Sequence, residues 1–176
     1  FRKRINRVLP SKCYTNRLMR NPNLRHPGVY IPPPLIYAAF FLLSLFIQRI
    51  FPLNNKFLTT PAAHILAWAF LAVSLLIAAI AIRKFAATKN TLITVKAATS
   101  LQTSGIYSFT RNPMYLGLIL LYISIAIFYG NWWTFFLLPL LILVIQFYVI
   151  QKEEQYLRQA FGETYDAYRK KVRRWI

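Results

Sequence analysis

The residues able to do chemistry gather in two short stretches. One is Ser104-Gly105-Ile106-Tyr107-Ser108-Phe109-Thr110-Arg111-Asn112-Pro113-Met114-Tyr115-Leu116-Gly117, between a basic polar segment and a long apolar run. The other is the adjacent pair Glu153-Glu154, just past the end of the apolar region. Gly105 suits a turn, because it has no Cβ to oppose a positive φ. Pro113 suits the first turn of a helix, where its missing N–H is no loss, and it pushes Asn112 toward an extended conformation. A helix is therefore expected to start here. Its free backbone N–H groups and positive dipole end would attract a carboxylate or another anion. Arg111 is the last charge before the apolar run. The plainer alternative is a positively charged flank ahead of an ordinary proline-started membrane helix.

All four acids lie in the last stretch of chain: Glu153, Glu154, Glu163 and Asp166. Glu154 stands four residues before Arg158, an order that favours an exposed helical pair worth about 0.3–0.5 kcal/mol. Glu153 has no Lys or Arg at such a spacing, which leaves a carboxylate at the edge of the apolar region without a local partner. A second helix after Phe161-Gly162 would put Tyr165, Tyr168 and Val172 on one face. Arg169, Lys170, Lys171, Arg173 and Arg174 would then turn toward lipid headgroups.

Taken together, Ser-Gly-x-Tyr, Arg-Asn-Pro-x-Tyr-x-Gly, Glu153-Glu154 and Phe161-Gly162-x-x-Tyr165-x-x-Tyr168 resemble the integral membrane methyltransferases. These are the isoprenylcysteine carboxyl methyltransferases and the related phospholipid methyltransferases. The resemblance covers roughly residues 85 to 176, with the blocks in the family's order and spacing. It implies S-adenosylmethionine as methyl donor and a lipophilic acceptor drawn from the bilayer: a lipid amine, a lipid carboxylate or an isoprenoid-like molecule. It carries cofactor binding onto Thr99, Ser100, Leu101 and Gln102, onto Tyr107, onto Asn112, Pro113, Met114 and Tyr115, and onto Glu153. Arg111 and Glu154 are the candidate catalytic residues. Toward such a cofactor, Glu153 suits the hydroxyls or the ammonium, and Tyr107 and Tyr115 offer flat faces to the sulfonium or the adenine. The helix start at residues 112 to 115 suits the carboxylate. Two positions depart from the family pattern. Asn112 stands where many members have His, and Val149 stands where the prenylcysteine enzymes carry an Arg that pairs with the substrate carboxylate. The second departure disfavours a prenylcysteine acceptor. Two other readings remain: a membrane reductase of the sterol-reductase type using NADPH, and a non-catalytic membrane protein whose basic faces bind anionic lipid.

The elements that must position these residues follow from composition. The chain is 57% hydrophobic yet carries 22 Lys+Arg against 4 Asp+Glu. Residues 57 to 82 and 112 to 151 contain no Asp, Glu, Lys or Arg. About 20 apolar residues cross a bilayer as a helix, so the second run is long enough to cross twice, with Gly130-Asn131 as the turn. Four spans are expected, at about 35–51, 62–82, 114–129 and 132–150, in one all-α integral membrane domain covering residues 1–176. The cytoplasmic loop and the C-terminal amphipathic helices, from residue 151 on, would form the cofactor site. Pro32-Pro33-Pro34 would be a stiff entry to the first span, and Pro139 should kink the fourth. Trp132 and Trp133 suit the opposite interface.

The segments 1–29, 83–111 and 151–176 carry eight, five and seven Lys+Arg, and the opposite loops only Lys56. The positive-inside rule therefore puts both termini, the central loop and the site on the cytoplasmic side. The basic segment 1–29 reads as resting on anionic membrane lipids. Its cations are not interleaved with aromatics, so nucleic acid is not an expected partner. A single Cys13 excludes an intrachain disulfide, and His26 and His64 lack metal-ligand spacing, so no metal site is expected. No cleavable signal peptide is expected, since the basic start is not followed at once by an apolar core.

Overall fold

The structure, a computed structural model, describes residues 27–87 and 101–175. The described residues are helical: α1 (Pro33–Ile50), α2 (Pro61–Ala87), a 3-10 turn (Gly105–Ser108), α3 (Pro113–Phe128), α4 (Trp132–Val144), α5 (Gln151–Phe161) and α6 (Glu163–Lys171). Between α4 and α5 the backbone forms a π-helical segment, Ile145–Ile150. The helix carries on without a break from Trp132 to Phe161, so the fourth apolar helix does not end at residue 150 as expected. Among the described residues three helices are long and apolar enough to cross a membrane: Pro33–Ile50, Pro61–Lys84 and Trp132–Phe161. The expected third span, α3, is a shorter apolar helix of 16 residues.

The boundaries follow local chemistry. Pro33 and Pro34 occupy the first turn of α1 and do not precede it, which uses proline where its missing donor is harmless. The Thr60 hydroxyl accepts from Ala63 N at the start of α2. Gly130-Asn131 makes the expected turn, and the Asn131 side chain accepts from Trp133 N to cap α4. The indole N–H groups of Trp132 and Trp133 donate to Asn54 O and Phe51 O, tying the α1–α2 connection to the start of α4.

The main contact is between α2 and α3, which run antiparallel. Ser74 Oγ donates to Gly117 O at 2.8 Å, and two turns away Ser124 Oγ donates to Ala67 O, also at 2.8 Å. A Cβ at Gly117 would sit 3.4 Å from Ile77 Cγ2, so glycine here permits a close approach of the two helices. Apolar side chains gain little by leaving lipid for each other, and small residues with interhelical hydrogen bonds then decide which faces meet. On the other side α1 packs on α4, where buried Ser44, Thr134 and Asn131 bond to one another. Large side chains such as Leu42, Phe46, Ile65, Trp68, Phe136 and Phe147 point outward. That distribution suits helices solvated by acyl chains.

Candidate functional site

The site forms at the end of the bundle where α3 starts and α4 passes into α5. Gly105 takes a φ of 68°, and the 3-10 turn it opens delivers Tyr107 to a buried position. Asn112 is the residue preceding α3 and Pro113 is its first residue, as expected from the sequence. The Asn112 side chain does not cap its own helix. Its amide donates to Arg174 O at 3.0 Å, so the first-turn N–H groups of α3 carry no side-chain cap from it.

Tyr115, one turn into α3, donates its hydroxyl to Glu153 Oε1 at 2.7 Å. The main chain of Tyr115 in turn accepts a long 3.4 Å bond from Tyr37 of α1. Glu153 pairs with no cation among the described residues. Below this pair lies an apolar floor of Val29, Tyr37, Val149 and Ile150. Lys152, next to Glu153, turns away: its ammonium donates to Gly28 O and lies 4.3 Å over the Tyr148 ring.

Glu154 behaves differently from the expectation. The exposed pair with Arg158 does not form, and Arg158 instead faces Asp166 at 3.3 Å on the surface. Glu154 is buried, with its carboxylate held by Arg111 Nη1 at 3.0 Å and by Arg174, whose Nε and Nη2 donate to the two oxygens at 3.0 and 2.7 Å. Helical spacing pointed to the neighbour on the same helix, whereas burial favours a fork-shaped partner from elsewhere. Arg111 also donates to the Tyr165 hydroxyl at 3.3 Å, and its buried Nε has no acceptor among the described residues.

The segment after α6 is stitched to the loop before α3. Arg111 N donates to Arg173 O, and Thr110 pairs with Arg173 in an isolated parallel bridge. Thr110 Oγ1 donates to Arg174 O, and Trp175 Nε1 donates to Gln146 Oε1 on the π segment. The α6 face of Tyr165, Tyr168 and Val172 closes over Leu101, as the amphipathic pattern required, while Arg169, Lys170, Lys171 and Arg173 stay exposed. Tyr168 donates its hydroxyl to Tyr107 O at 2.6 Å.

Electrostatics keep the phenols neutral. Burial pushes the Tyr107 phenol up, and Tyr168 and Glu153 add to the shift, so Tyr107 stands within electrostatic range of Glu153. Burial likewise raises Tyr168 and Tyr165. Groups that ordinarily titrate near 10 and are raised further carry no charge at neutral pH. The hydrogen bonds that Arg174 donates to Glu154 raise it still further above its already high value and hold it cationic.

Of the residues singled out from the sequence, Tyr107, Arg111, Asn112, Pro113, Met114, Tyr115, Glu153 and Glu154 come together around one end of the bundle. Leu101 flanks that group on the α6 side, buried against Tyr165, and Gln102 follows it in the chain, half-buried. Thr99, Ser100, Cys13, His26 and most of the basic segment 1–29 lie outside the described residues. Among the described residues no cluster of His, Cys, Asp or Glu could hold a metal ion. Arg174, expected to turn toward headgroups, grips buried Glu154 instead, and neither the Arg111–Tyr165 bond nor the π segment was expected. Only the hydrophobic face of α6 hinted at them, by requiring the tail to fold back.

The family model of phospholipid methyltransferases matches residues 62–164. An uncharacterized protein of Haemophilus influenzae is 40% identical over 63 residues, which is 36% of this chain and the whole of that protein. The protein-S-isoprenylcysteine O-methyltransferase of Schizosaccharomyces pombe is 36% identical over 72 residues, 41% of this chain. That match spans 30% of the fission yeast enzyme's length. No solved structure matches the chain.

Proposed function

The chain belongs to the phospholipid methyltransferase family, and from that premise we propose an integral membrane enzyme that transfers a methyl group from S-adenosylmethionine to a lipophilic acceptor. The observation that carries the reading is the Tyr115–Glu153 contact of 2.7 Å beside the start of α3. There a carboxylate with no cationic partner among the described residues adjoins a helix start whose side-chain cap is turned elsewhere. Those two features suit the ammonium and the carboxylate of an amino-acid tail, so the residues present fit the donor.

When bound, S-adenosylmethionine supplies an electrophilic methyl group on a cationic sulfur. The chain's own residues then have three tasks. Glu153 holds a cationic or hydroxyl group, with its rotamer fixed by the Tyr115 hydroxyl. The α3 N–H groups hold an anion. Neutral Tyr107 presents a π face that stabilises positive charge without neutralising it. None of this needs a metal; alignment of the reacting atoms can supply several kcal/mol. The acceptor enters from lipid. Val149 is fully buried in the apolar floor and Arg111 is committed to Glu154, which supports an acceptor other than a prenylcysteine carboxylate.

The test is calorimetry on the detergent-solubilised protein, followed by a transfer assay. S-adenosylhomocysteine should bind and NADPH should not, and labelled methyl should pass from the donor into lipid but not into farnesylcysteine. NADPH binding without S-adenosylhomocysteine binding would sink the methyltransferase reading. Efficient methylation of farnesylcysteine would sink the acceptor reading alone.

Sidedness rests on the distribution of basic residues. A reporter fused behind Ile176 is expected to read cytoplasmic, and one inserted in the 51–60 connection to read from the opposite side. The same signal from both would overturn the assignment.

A further inference from the structure

Arg174 touches both halves of the site, the loop ahead of α3 through its main chain and α5 through its side chain. Its carbonyl accepts from Asn112 Nδ2 at 3.0 Å and from Thr110 Oγ1 at 3.2 Å, on the loop that leads into α3. Its guanidinium grips Glu154 on α5 with two bonds, at 3.0 and 2.7 Å. Glu154 is followed back along the chain by Glu153, whose carboxylate meets Tyr115, and Tyr115 lies three residues beyond Asn112. The contacts therefore close a ring: Arg174, Glu154, Glu153, Tyr115, Asn112, and Arg174 again. Two further side-chain ties to α5 run beside that of Arg174, Arg111 to Glu154 from the loop and Tyr115 to Glu153 from α3.

A planar guanidinium bonded twice to a carboxylate fixes both separation and angle, which a single ammonium contact does not. The carboxylate it fixes belongs to the residue next to Glu153 on a rigid helix, so the clamp also sets where Glu153 can reach. Sites of this kind lose function when supporting contacts loosen by fractions of an ångström. We propose that Arg174 is a positioning residue, which clamps Glu154 against the loop ahead of α3 and thereby sets the Glu153–Tyr115 geometry that seats the cofactor. The inference rests on the methyltransferase reading and adds to it a residue remote from the proposed cofactor contacts.

The experiment measures S-adenosylhomocysteine affinity by calorimetry for the full chain and for Arg174→Gln, Arg174→Lys, Glu153→Gln and the double variant Arg174→Gln/Glu153→Gln. Arg174→Gln is expected to weaken binding by about tenfold, and Arg174→Lys to restore part of the loss. In the Glu153→Gln background the same Arg174→Gln change should cost no more than about twofold, because the carboxylate it positions is already gone. A purely structural role would give the same loss in both backgrounds, and that result overturns the proposal. So does wild-type affinity in Arg174→Gln. If Arg174→Gln fails to fold, Arg174→Lys carries the same comparison in both backgrounds. Wild-type protein that does not bind S-adenosylhomocysteine overturns the methyltransferase reading, and this inference with it.

Discussion

Glu154→Gln is expected to lower the unfolding free energy by about 3–5 kcal/mol, the range for removing one partner of a buried ion pair. The carboxylate is 11% exposed and lies between Arg111, 10% exposed, and Arg174. Neutralising it leaves two guanidiniums facing each other, one of them almost wholly cut off from water. It also takes the charged acceptor from the Arg174 guanidinium, leaving the tail tied by its main-chain bonds to the loop and by Trp175 to Gln146. The measurement is denaturant or thermal unfolding in detergent. Arg158→Ala is the comparison, because Arg158 is 61% exposed and its contact with Asp166 at 3.3 Å should contribute less than about 1 kcal/mol. Loss of less than about 1 kcal/mol in Glu154→Gln would show that the triad is solvated and does not hold the tail.

Glu153→Gln should do the reverse, sparing stability and damaging ligand binding. The Gln carbonyl can still accept from the Tyr115 hydroxyl, so the contact at 2.7 Å has a neutral replacement. What disappears is the charge. Loss of a charge-assisted bond to the cofactor should weaken S-adenosylhomocysteine binding by about ten- to a hundredfold, or roughly 1.5–3 kcal/mol. Calorimetry on folded variant and wild type reads it directly. Unchanged affinity would remove Glu153 from the cofactor site. A comparable fall in unfolding free energy would reassign it to the scaffold.

The two glutamates also show what the sequence made legible. Glu153 stood out because nothing at helical spacing could pair with it, and the structure gives it a phenol and, among the described residues, no cation. Glu154 had a satisfactory local partner in Arg158, so spacing offered no reason to look further. Its real partners are 43 residues earlier and 20 residues later, brought in by the return of the tail. The starts of the apolar helices were legible to within a few residues because hydrophobic runs and prolines mark them locally, but the continuation of the fourth to Phe161 was not. The buried face of α6 was legible too, from the spacing of Tyr165, Tyr168 and Val172. The π segment was not. Ile145-Gln146-Phe147-Tyr148-Val149-Ile150 reads as ordinary helix, and no residue in it forces a wider turn. Its wider turn, seen in the bond from Gln151 N to Gln146 O, turns the residues beyond it relative to an uninterrupted α-helix, and the face on which Glu153 and Glu154 emerge is set there.

The unequal lengths of α2 and α3 bear on how an acceptor finds the site. Ser74 is level with Gly117, so Pro113 is level with Ala78, and α2 runs on to Ala87 past the start of its partner. The first part of that overhang, Ala79 to Ile82, is wholly apolar before Arg83, which amounts to roughly 6 Å of hydrocarbon depth. With the basic residues at the headgroups, as the positive-inside reading has it, Tyr115 and the carboxylate it holds would lie beneath the headgroup plane, on a recessed step in the protein. Under the proposed function, an acyl chain bearing a reactive head would reach this step by lateral diffusion, with no transfer into water. Encounter would then be a two-dimensional search, and the rate should follow the mole fraction of acceptor in the bilayer and not its bulk concentration.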